Sequence, residues 1–136
     1  QLKKFKINNL YLPGSFHLNS MPYFFSKADC LLITLKKDNV FSNTLPGKFQ
    51  PYLTSGKPIL GNLSGEGLEL IQNHELGLAC EPGNPRLLSD LAFKLSTMHK
   101  KELDKIQKNC INLNNTIFNK EIIFKSLLNE LKLYDI

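Results

Sequence analysis

Three short apolar runs constrain this chain more than any other feature: CLLIT (30–34), PIL (58–60) and GLAC (77–80), each followed by a loop or a stretch with helical spacing. CLLIT has the unbroken apolar character of a strand covered on both faces, which is the habit of parallel sheets. NLYL (9–12) reads as a further strand ahead of them. Between the runs, SMPYFFSKA predicts a helix with Ser20 as cap and Pro22 in its first turn, and GEGLELIQN (65–73) predicts another. NPRLLSDLAFKL predicts a third, with Asn84 as cap and Pro85 at its first position. Four strands alternating with helices imply a parallel, right-handed βαβ series: an α/β fold with a Rossmann-like parallel sheet and helices on both faces.

From Thr97 onward the pattern is wholly helical, so the chain divides into a sheet-bearing unit, 1–96, and C-terminal helices, 97–136, packed on it. Ile106, Cys110 and Leu113 share one face of a first helix. Phe118, Ile122, Ile123, Leu127, Leu128 and Leu131 recur at helical spacing in a second, with NLNNT (112–116) expected to separate the two. Both stripes read as packing surfaces.

Composition narrows the function classes. A chain of 136 residues, 42% hydrophobic and 21% charged, is long enough for one core and is too apolar for disorder. Its formal charge of +5 comes almost wholly from lysine, Arg86 being the only arginine. That argues against nucleic-acid binding, where arginine forks read base edges and phosphates. Cys30, Cys80 and Cys110 are widely spaced with no CxxC pair, which argues against a disulfide framework or a zinc site and fits a reducing cytoplasm. His17, His74 and His99 do not cluster, and no residue stands out as catalytic or metal-binding. No apolar run suffices to span a bilayer. The start at Gln1 reads as a piece of something longer.

The densest cluster of backbone-specific residues is TLPGKFQPYLTSGKPIL (44–60). In open parallel sheets, ligands bind outside the carboxyl ends of the strands, and this junction follows CLLIT. Gly47 would let a ligand approach the backbone, Thr44 offers a hydroxyl, Leu45 lies between them, and Lys48 supplies a compact cation. Gly14, ending NLYLPG, would face the same crevice. The plain alternative is a turn with a solvated lysine. Pro51 places the helix start near Gln50, leaving Lys48 in the loop, and Gly56 marks the helix end.

The ordered set LPGK, YL, SGKPI and GE, followed by GL and PGN, resembles the C-terminal, donor-binding domain of two-domain GT-B glycosyltransferases of the bacterial family 4 type, which make O-antigen and capsule polysaccharides. The likeness covers about residues 9–95. It implies half of a retaining glycosyltransferase that moves a hexose or aminosugar from a nucleotide sugar, UDP-linked, to a saccharide or lipid-linked acceptor. No other cofactor and no metal are implied. Residues 43–48 would hold the diphosphate and sugar, Gly14 would lie near the base, and Glu66 matches a Glu bordering the crevice. The family's usual two glutamates are replaced by Asn43 and Pro51, so sugar hydroxyls would fall to Asn43, Gln50 or Tyr52. The acceptor would be bound by an N-terminal domain that this chain lacks, leaving it inactive alone, in the cytoplasm and with peripheral contact to the inner membrane face. The competing expectation is a non-enzymatic α/β interaction module docking a partner through its C-terminal helices.

Overall fold

The computed structural model describes residues 7–38 and 43–133. Residues 1–6 and 134–136 of the two sequence units, and 39–42 of the loop after the first strand, lie outside the described residues. Three strands, β1 (Leu31–Thr34), β2 (Ile59–Asn62) and β3 (Gly77–Cys80), form a parallel sheet in the order β1-β2-β3. Register runs Leu31 to Ile59 to Gly77 and Ile33 to Gly61 to Ala79. The ladder continues past both ends, from Leu31 N–H to the Pro58 carbonyl (2.9 Å) and from Leu35 N–H to the Asn62 carbonyl (2.8 Å). The protein is therefore α/β with an open parallel sheet, a partial Rossmann-like arrangement.

Six α-helices accompany the sheet among the described residues: α1 (Met21–Lys27), α2 (Phe49–Ser55), α3 (Glu66–Asn73), α4 (Pro85–Ser96), α5 (Lys100–Thr116) and α6 (Lys120–Leu133). A Cβ added at Gly61 would meet Ile71 and Ala79, so α3 covers the face that Gly61 and Ala79 share. The opposite face carries Leu60 and Cys80, both buried, and α4 is the other helix lying on β2 and β3. The core combines Ile33, Phe49, Leu53, Ile59, Leu63, Ile71 and Leu76 with Ile106, Cys110 and Leu113 of α5, which packs along α2.

The helix ends follow the local rules. Lys48 occupies the N-cap position of α2 without a side-chain capping bond, Pro51 falls in its first turn, and Gly56 closes it in the left-handed conformation (φ 66°). Asn84 Oδ1 accepts from Leu87 N–H at 3.0 Å, with Pro85 at the first helical position. Asn84→Ala is expected to cost about 1 kcal/mol, measured as a shift of the urea midpoint without a change of slope. Glu75, at φ 50°, turns the chain from α3 into β3, and Lys105 at 2.7 Å holds its carboxyl below the ordinary range. That depressed value adds stability above the ordinary glutamate pKa, which is lost as pH falls through the folded one.

Several expectations are corrected. NLYL does not form a strand: residues 9–12 are exposed and outside the sheet, so the sheet has three strands among the described residues. Its side chains stay exposed instead of packing, Tyr11 at 84% and Leu12 at 69%. NLNNT lies inside α5, because Ile106, Cys110 and Leu113 anchor that helix to its end. The break comes later, where Asn119 Oδ1 receives the N–H groups of Glu121 and Ile122. The α5 stripe packs as expected, whereas on α6 Ile122, Ile123, Leu127, Leu128 and Leu131 are exposed, only Phe118 before it reaching the core.

All three cysteines are free thiols. Cys110 is buried and burial raises its thiol to about 11; Cys80 is also buried, while Cys30 is half-buried and raised by burial and by Asp29. Because the thiolate is the nucleophile, alkylation at pH 8 should reach Cys30 slowly and spare Cys80 and Cys110, with all three modified once urea is added, as read by intact mass.

Candidate functional site

The junction after β1 is pinned on both sides and free in the middle. Phe49 is fully buried at the start of α2, its ring 6.1 Å from that of Phe118. Leu45 is half-buried over the start of α3, its Cδ1 3.7 Å from where a Cβ on Gly67 would stand. Between these anchors Phe49 N–H donates to the Pro46 carbonyl (2.8 Å) and Tyr52 N–H to the Lys48 carbonyl (3.2 Å). The turn therefore has a fixed shape, and Gly47 and Lys48 stand exposed on it.

Opposite this turn lies the end of β1. Leu32, Ile33, Thr34 and Leu35 together with Pro46, Gly47 and Lys48 line an open cleft of about 400 Å3. Leu31 and Leu35 direct their N–H groups to β2. By the alternation of a parallel ladder, the peptide groups of Leu32 and Thr34 face the free edge of β1. Leu32 is 49% exposed despite its apolar side chain, and the Tyr52 hydroxyl approaches its carbonyl on this edge at 3.5 Å. A Cβ added at Gly47 would meet nothing within 4 Å, so a ligand has open access to that peptide.

The expected site residues separate into groups. Gly47 and Lys48 line the cleft. Asn43 and Thr44 are exposed just before it, and each already interacts within the protein. Leu45 serves as an apolar anchor. Tyr52 is half-buried, its ring edge-on to Phe25 at 5.3 Å and its hydroxyl 3.5 Å from the Leu32 carbonyl; burial raises its pKa. It supports the cleft wall from behind. The Gln50 amide donates to the Phe118 carbonyl at 3.2 Å, tying α2 to the α5–α6 turn instead of to a ligand. Glu66 is exposed in the first turn of α3, where a carboxylate is favoured by the helix dipole, and its neighbour Gly67 lies against Leu45. Gly14 (φ 91°) sits in irregular chain, not at a strand end, and outside the cleft lining.

Sequence reasoning overlooked Leu32, Thr34 and Leu35 as cleft residues, although placing the site at the carboxyl end of CLLIT implies them. It also overlooked a polar group farther along the same rim. Asn62 donates its amide to the Glu81 carbonyl (3.4 Å), and Lys37 Nζ stands 3.3 Å from Glu81 Oε2. No local pattern pairs residues so far apart.

Chemically, the described residues of the cleft offer the Lys48 cation, the Thr34 hydroxyl and backbone amide groups, with no carboxylate or imidazole among them. Such a set suits an anion, not proton transfer. No cluster of three or more His, Cys, Asp or Glu able to hold a metal occurs among the described residues, and no described helix is long and apolar enough to cross a membrane. Comparison with protein family models, with curated proteins and with solved structures found no match.

Proposed function

We propose that this chain is the nucleotide-sugar-binding part of a retaining glycosyltransferase, and that the cleft beside β1 takes the diphosphate of a UDP-linked donor. One observation carries this reading: the Pro46–Lys48 turn is exposed, held in a fixed shape and set against the carboxyl end of a parallel strand, with Lys48 in the cleft lining. That is where open α/β sheets bind ligands. Sugar transfer loads negative charge on the departing nucleoside diphosphate, and a preorganised cation and peptide donors lower the energy of that charge in the transition state. Lys48 and the Gly47 peptide are this chain's contribution. Acceptor binding, to a saccharide or lipid-linked oligosaccharide at the cytoplasmic face of the membrane, belongs to a further domain in this reading.

Lys48→Ala should weaken UDP binding by about 1–3 kcal/mol, the worth of a charge-assisted hydrogen bond, with the thermal midpoint unchanged because Lys48 is exposed. Calorimetry of both forms at low salt checks this; equal affinities would remove Lys48 from the site. A second reading, a non-enzymatic interaction module, is favoured by the exposed apolar stripe of α6. It predicts no UDP binding at millimolar concentration.

A further inference from the structure

Lys37 is a further cation near the carboxyl rim that the fold places under a specific constraint. It follows Leu35, a cleft residue, by two positions. An extended chain covers about 3.3–3.6 Å per residue, and a lysine side chain adds a flexible four-carbon stem, so the ammonium has a wide sweep over the rim. In the structure it is turned toward β3, where it meets Glu81 Oε2 at 3.3 Å across the end of β2. Asn62 keeps that acidic segment in place through the Glu81 carbonyl. The pair is solvent-exposed, the two side chains being 73% and 60% accessible. Exposed pairs of this kind are weak and easily exchanged. A diphosphate carries more charge than one carboxylate and would outcompete it for the ammonium.

We propose that Lys37 is a second cation for the diphosphate, parked on Glu81 while the cleft is empty and released to the ligand when it fills. The inference rests on the donor-binding reading above. It makes Glu81 an intramolecular competitor of the substrate, so the two partners of one ion pair have opposite effects on affinity. Lys37→Ala is expected to weaken UDP and pyrophosphate binding about 3- to 10-fold, and Glu81→Gln to tighten both about 2- to 5-fold. In the double variant the gain from Glu81→Gln should shrink to less than twofold, because the cation it frees is gone.

Calorimetric titration of the chain and these three variants with UDP, and separately with pyrophosphate, tests this. Circular dichroism melts verify that each variant is folded, as their exposure implies. If both single variants weaken binding, the pair acts as a brace for the loop and the proposal is wrong. It is also wrong if neither changes affinity while Lys48→Ala does, in which case the donor-binding reading stands without it. If the unaltered chain binds neither probe at millimolar concentration, both the reading and the proposal fall.

Discussion

Gly77→Val should leave little folded protein at 25 °C. A Cβ at Gly77 would collide with the Ile59 carbonyl oxygen and stand 2.6 Å from the Ile59 nitrogen, both backbone atoms of the neighbouring strand. Gly77 also has φ 152°, a conformation that side chains other than glycine rarely adopt. The clash cannot be relieved by a rotamer change; β3 must move away from β2, breaking the pairing of Ile59 with Gly77 and the Ile59 N–H bond to the Leu76 carbonyl. Backbone strain and lost packing of this kind cost about 4 kcal/mol or more, against the roughly 5–15 kcal/mol that holds a small domain together. Urea denaturation should show a midpoint shifted far down or no folded baseline. A variant within about 1 kcal/mol of the parent would mean that β3 does not lie as described.

Phe49→Ala is expected to cost about 3–5 kcal/mol, as for other buried aromatics cut to alanine. Phe49 has no exposed surface, packs near Phe118 and starts the helix that follows the Lys48 turn. Its loss therefore has two consequences. The core loses a fully buried ring, and the turn loses one of its two anchors. Phe49→Leu restores part of the volume and should recover part of both stability and UDP affinity. Chemical denaturation of the two variants, with UDP titration of whichever is folded, separates the packing role from the positioning role. Full UDP affinity in folded Phe49→Ala would show that the turn keeps its shape without this anchor.

The sequence carried much of the fold because the deciding interactions are local or periodic. CLLIT, PIL and GLAC coincide with β1, β2 and β3 to within a residue or two, because short apolar runs bounded by turn residues mark parallel strands; β1, however, is covered on one face only, with Leu31 and Ile33 buried and Leu32 and Thr34 exposed. Asn84, Pro85, Gly56 and Pro51 mark helix ends through their own backbone chemistry and fall where expected. NLYL misled because a short apolar run does not state whether a neighbouring strand exists to pair with it. The α6 stripe misled for the same reason: helical periodicity shows that a face is apolar, not what lies against it. Within the site, Gly47 and Lys48 were legible from the turn they make, and both line the cleft. Gln50 and Tyr52 were not, because the Phe118 carbonyl and the Phe25 ring that engage them come from distant parts of the chain. The same holds for the Lys37–Glu81 pair.

The central claim is that the turn at Pro46–Lys48 and the end of β1 together receive a nucleoside diphosphate. Titrating UDP into 15N-labelled protein and following the amide resonances tests it most directly. The account predicts saturable shifts at Gly47, Lys48, Thr34 and Leu35, the two walls of the cleft, that collapse in Lys48→Ala. Shifts confined to other parts of the surface, or none at millimolar UDP, would contradict it.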